Sequence, residues 1–201
     1  MAVHLIKIFI ICTLLSLAGC ARAADPSAPP VTRSMPASDG LTTGITVSAA
    51  DTEAQLLGSF ATEFNPKEKN RSHNIALASE KINGHVVAPQ ETFSYNETVG
   101  PTGRSRGYKR STIFIKGEMF KGYGGGVCQV SSTLYNAAAN AGMTILERHD
   151  HSKPVPYVET GKDAATSYGG IDFKFKNEQP YSVQINAQAE DGTLTISLSA
   201  V

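Results

Sequence analysis

Ile171-Asp172-Phe173-Lys174-Phe175-Lys176, Tyr181-Ser182-Val183-Gln184-Ile185-Asn186 and Leu194-Thr195-Ile196-Ser197-Leu198 decide the fold class. Apolar and polar residues alternate in each run, which is the period of a strand with one buried and one wet face. Turn signals at Asn177–Pro180 and at Asp191-Gly192 separate the runs. The three are therefore expected to pair as an antiparallel meander. Upstream the period changes. Ser72 is placed to cap a helix with apolar residues at Ile75, Ala78 and Ile82, and Asn83-Gly84 supplies the stop. Strand signals follow at Val86-Val87, at Thr92–Tyr95 and at Thr112–Ile115. A second helix is expected from about Val127 to Ala141, with Val127, Val130, Leu134, Ala138 and Ala141 on its buried stripe and Gly142 ending it. Thr144–Arg148 reads as a further strand. Two main helices and an antiparallel sheet ending in a three-stranded meander make an α+β domain.

The chain has 201 residues, 41% of them hydrophobic, which suits one globular domain plus extensions. Lys and Arg total 18 and so do Asp and Glu, so there is no broad cationic face of the kind a nucleic-acid binder needs. Residues 1–20 carry a short apolar stretch, Ile8 to Leu17, ending in Leu17-Ala18-Gly19-Cys20. The stretch is about half the ~20 residues of a spanning helix. It reads as an export signal whose final cysteine becomes the lipidated start of the mature chain. Acyl chains on Cys20 would anchor the protein to a membrane, at ~0.8 kcal/mol per buried CH₂. The plainer alternative is ordinary cleavage after Ala21-Arg22-Ala23. Residues 21–50 hold Pro26, Pro29, Pro30 and Pro36 among small polar residues and read as a flexible tether. The folded domain is assigned to residues 51–201. The expected location is the cell envelope, on the periplasmic or outer-membrane face if there are two membranes.

Three cysteines, Cys12, Cys20 and Cys128, cannot form a disulfide framework. Cys12 leaves with the signal and Cys20 is acylated, so Cys128 is the one free thiol in an oxidising compartment. It lies in Gly122-Tyr123-Gly124-Gly125-Gly126-Val127-Cys128-Gln129-Val130-Ser131-Ser132. Gly124, Gly125 and Gly126 let backbone approach a ligand closely, and a helix starting after them points free N–H groups at the same place. A thiol in that first turn is expected to have a lowered pKa. The loop N–H groups and that of Cys128 would hold an oxyanion. A base is expected from His149-Asp150-His151, with His151 favoured and His149 second, and with Asp163 or Glu147 orienting the imidazole. Zinc ligation by Cys128, His149, His151 and Asp163 lacks any metal-ligand spacing, and the glycine run lacks the Gly-Lys-Ser/Thr ending of a phosphate loop. No metal and no cofactor are expected.

These residues resemble the VanW family. The resemblance runs from about Asn70 to Asn177, in ordered blocks: Arg71-Ser72-His73-Asn74-Ile75, Phe93-Ser94-Tyr95-Asn96 with Val99-Gly100-Pro101, Arg106-Gly107-Tyr108, Gly124 through Asn136, Glu147 through Ser152, Tyr157, Gly161-Lys162-Asp163-Ala164 and Ser167-Tyr168-Gly169. This chain departs at Lys162, where many relatives carry Arg, and at Pro89-Gln90, where they carry Pro-Gly. VanW domains of some bacterial wall proteins look like L,D-transpeptidases that use a cysteine. The family's cysteine falls on Cys128 and its histidine pair on His149 and His151. The resemblance thus implies a cell-envelope cysteine acyltransferase whose partners are peptidoglycan stem peptides. Arg104, Arg106, Tyr108, Arg148 and Tyr168 are the candidates for holding the stem's carboxylates and amides. Two alternatives stand beside it: a non-catalytic wall-binding or assembly lipoprotein associated with glycopeptide-type resistance, and an L,D-carboxypeptidase or amidase using the same thiol.

Overall fold

The computed structural model describes residues 54–115 and 118–201. The export signal, the lipidated Cys20 and the tether fall on residues 1–50, outside the described residues. In chain order the elements are β1 (Gln55–Glu63), α1 (Lys69–Ile82), β2 (Val86–Val87), β3 (Thr92–Ser94), α2 (Tyr95–Val99), a 3-10 turn (Arg104–Arg106), β4 (Arg110–Ile115), β5 (Glu118–Tyr123), α3 (Val127–Asn140), β6 (Thr144–Glu147), β7 (Lys174–Lys176), β8 (Val183–Glu190) and β9 (Thr193–Ala200). The class is α+β, with two long helices and antiparallel strand pairing throughout.

The C-terminal strands divide between two sheets. β8 and β9 form the expected hairpin, and both Asp191 (φ +48°) and Gly192 (φ +85°) are left-handed, as a two-residue turn between twisted strands requires. β7, the third strand of the expected meander, pairs instead with β3 and β6. Its Phe175 stacks on Phe93 of β3 with ring centroids 5.0 Å apart. Buried Asn177 then donates to the carbonyls of Val87 and Tyr181, both at 2.9 Å, and turns the chain toward the other sheet. Alternation fixes which face of a strand is buried, but it does not name the neighbour.

The place beside β9 that a meander leaves open is taken by β1, giving the order β1-β9-β8-β2. β1 was not anticipated, because only part of Gln55–Glu63 alternates and Gly58 interrupts it. The glycine is needed there: a Cβ at Gly58 would lie 2.4 Å from the Ala141 nitrogen, where β1 crosses the end of α3. α3 packs on β1 and β9, and α1 packs on β8. Between helices and sheet lie Ile75, Ile82, Val130, Leu134, Ile185, Leu194, Ile196 and Leu198, all fully buried. α1 starts a turn earlier than expected. Glu68 is its N-cap, and Ser72 lies inside the helix with its hydroxyl donating back to the Glu68 carbonyl at 3.2 Å.

Candidate functional site

The segment Tyr123–Cys128 leads from the β4–β5 hairpin into α3. Gly126 is the N-cap, at φ +109°, and a Cβ there would sit 2.8 Å from Ile75 Cγ1 of the core. Only glycine closes this corner. Turn hydrogen bonds use the N–H groups of Gly124, Val127 and Gln129. Those of Gly125, Gly126 and Cys128 find no protein acceptor among the described residues.

Cys128 is half-buried in the first turn of α3, at the wall of a cleft of about 970 Å³. Its Sγ lies 3.5 Å from the carbonyl oxygen of Thr166 and 3.8 Å from its hydroxyl. His151 lines the same cleft. Burial pushes the thiol up, but the neighbouring His151 imidazole acts against it, and the thiol lies below its ordinary value. The effect on the histidine is reciprocal. Burial pulls His151 down, while the thiol and the Asp163 carboxylate raise it further, to a net value above 6.5. Mutual shifts of these signs are those of a thiol and an imidazole that act on each other's charge.

Asp163 Oδ2 accepts from both the backbone N–H and the Nδ1–H of His151, each at 2.6 Å. This holds the tautomer in which Nε2 is left for the thiol. Burial raises Asp163, but the two hydrogen bonds from His151 and its charge bring the carboxyl below its ordinary value. Arg148 backs the carboxylate: its Nε donates to the Asp163 carbonyl at 2.6 Å and its Nη2 lies 3.5 Å from Oδ1. The segment carrying Asp163 and Thr166 is latched to α3. Ser131 donates to the Ala164 carbonyl at 2.6 Å, Ser132 accepts from the Ala164 N–H at 2.9 Å, and Asn136 donates to the Lys162 carbonyl at 2.7 Å.

Of the sequence candidates, Cys128, His151, Asp163 and the three glycines are brought together. Asp163 stands behind the imidazole, 9% exposed. His149 turns away. Its Nε2 meets Glu147 Oε1 at 3.1 Å, so Glu147 serves His149, not His151. Tyr168 is exposed and lines the cleft. Arg104 and Arg106 sit in the exposed 3-10 turn and are not among the residues that line the cleft, although the Arg106 guanidinium packs beside lining residue Gly100. Tyr108 is buried in the core, with burial pushing its hydroxyl up to about 12 and no hydrogen-bond partner for it among the described residues. Arg148 is taken by Asp150 and Asp163 and lies over the Tyr135 ring, 5.0 Å from its centroid. Sequence reasoning gave no site role to Thr166, Tyr157 and Arg71, all of which line the cleft. Arg71 had a signal, since it lies four residues before core Ile75 on the same helix face.

The family described as "VanW like protein" matches residues 70–199. The chain is 48% identical over 149 residues to the uncharacterized protein YoaR of Bacillus subtilis strain 168, covering 74% of this chain and 49% of that protein. It is 31% identical over 129 residues to the vancomycin B-type resistance protein VanW of Enterococcus faecalis strain V583, covering 62% of this chain and 47% of that one. The chain thus spans about half the length of the curated relatives it matches. No solved structure matches it. With the family match running from α1 through β9, and so across Cys128, His151 and Asp163, the chain belongs to the VanW family.

Proposed function

We propose that the protein is a cell-envelope cysteine acyltransferase acting on peptidoglycan stem peptides, in the manner of an L,D-transpeptidase. The observation that carries this reading is the Cys128–His151–Asp163 arrangement in a cleft, beside backbone donors that have no acceptor among the described residues. A structural cysteine needs no such surroundings. The substrate class is supported by the family's wall-protein members and by the resistance role in one relative's name.

In this mechanism the Cys128 thiolate attacks the carbonyl carbon of the L-centre, third residue of a tetrapeptide stem. The tetrahedral oxyanion is held by the N–H groups of Cys128 and the glycine loop. It collapses as the C–N bond breaks, with His151 Nε2 giving its proton to the departing amine of the terminal D-alanine. The product is a thioester on Cys128 and a neutral imidazole. An acceptor amine then attacks the thioester, His151 takes its proton, and the thiolate leaves with a new amide formed. The purified domain, incubated with tetrapeptide-bearing muropeptides, should gain the mass of the acyl group on Cys128 and release D-alanine, and Cys128→Ala should do neither. No adduct on Cys128, with product formation unchanged in Cys128→Ala, overturns the reading.

A further inference from the structure

Arg71 lies in the cleft with Cys128 and has no anionic partner. Its Nη2 donates to Gln129 Oε1 at 2.6 Å, and no carboxylate forms an ion pair with it among the described residues. Gln129 cannot swing away. It is 1% exposed, and its Nε2 is tied to Thr62 Oγ1 at 3.0 Å and to the Glu63 carbonyl at 2.9 Å. A neutral amide therefore fixes the direction of the guanidinium and leaves its charge uncompensated. The Arg71 stem runs along the glycine loop, so that a Cβ on Gly126 would lie 3.3 Å from Arg71 Cγ. Of the other charged groups lining the cleft, Asp150 is paired with Arg148, Glu68 is exposed three residues before Arg71, and Lys153 is an exposed point charge. Arg71 is the only arginine in the lining among the described residues.

A half-buried guanidinium with one edge held and the rest of its donors open is built for a planar anion. We propose that Arg71 binds the free C-terminal carboxylate of the peptide donor and so makes the site selective for peptides ending in a carboxylate. The choice of a peptide as ligand rests on the acyl-transfer reading above. The role sought in Arg104, Arg106 and Arg148 thereby passes to an arginine that lines the cleft.

Binding is measured on Cys128→Ala protein, which separates recognition from chemistry. The probes are a tetrapeptide of stem composition with a free terminal carboxyl and the same peptide as its terminal amide. The acid should bind about tenfold more tightly than the amide, and added salt should shrink the preference. Arg71→Gln should abolish the preference by weakening the acid alone, and Arg71→Lys should restore part of it. Equal binding of acid and amide by protein retaining Arg71, no binding of either, or an undiminished preference in Arg71→Gln each overturns the proposal. The acid-over-amide comparison needs no Arg71 variant, so it stands even if Arg71→Gln misfolds. Acid-selective binding without an acyl adduct on Cys128 would sink the acyl-transfer reading and leave Arg71's role in place. An adduct without carboxylate selectivity would do the reverse.

Discussion

Burial alone would push the Cys128 thiol up; the neighbouring His151 imidazole acts against that, and the thiol lies below its ordinary value. The consequence is directly measurable. In His151→Ala the main lowering influence is gone while burial remains, so the thiol pKa rises. The pH profile of iodoacetamide alkylation, read by mass on Cys128, should shift its midpoint upward and the rate near neutrality should fall. An unchanged midpoint would mean that the imidazole does not act on the sulfur. His149→Ala is the control, because His149 bonds to Glu147 and does not line the cleft. The sequence placed two histidines two residues apart and favoured His151. The reason His151 meets the thiol is Asp163, twelve residues on in the chain, which fixes both its backbone and its ring.

Turns and caps set where the elements begin, and one of them holds a non-glycine residue at positive φ. Ala88–Glu91 is a β-turn closed by the Glu91 N–H to the Ala88 carbonyl at 3.0 Å, with Pro89 second and Gln90 third at φ +66°. The third place of such a turn demands a positive φ and favours glycine. Gln90 therefore holds a left-handed conformation that costs a side-chain-bearing residue energy. Gln90→Gly should raise stability by about 0.5–1 kcal/mol, since relief of the left-handed strain exceeds the entropy that glycine loses on folding. Urea unfolding of the two proteins checks this, and a destabilised variant would contradict it. The Gln90 side chain makes no hydrogen bond that the change would remove, among the described residues.

Across the whole molecule, acid should unfold the protein by a nameable route. Glu147 is held down to about 2, first by its hydrogen bond from Lys174 and then by the Asp172 N–H, and Asp163 lies below its ordinary value. Groups depressed in the folded state stabilise it fully above their unfolded pKa values and stop doing so as pH falls through the folded ones. Stability should therefore decline from about pH 4.5 toward about pH 2. Lys174→Met removes the leading cause, so it should lower the urea midpoint near neutrality and flatten the loss in acid. Equal acid slopes in the two proteins would refute the assignment. Lys174 Nζ bridges Glu147 and Asp172, at 2.9 Å and 3.9 Å, tying β7 to the strand that leads into His151. Local pattern determined much of this protein: both long helices, the β8–β9 hairpin, most strands, and the glycine-flanked thiol at a helix start all follow from periods and turn residues within a few positions of one another. Partnerships were decided only in three dimensions. β7 left the expected meander because Phe175 packs on Phe93, and β1 filled the vacancy. Tyr108 went to the core and Arg148 to the back of Asp163, while Arg71 turned its charge into the cleft. A side chain's period shows which face it occupies. What it touches depends on segments tens of residues away, brought near by packing that no local window contains.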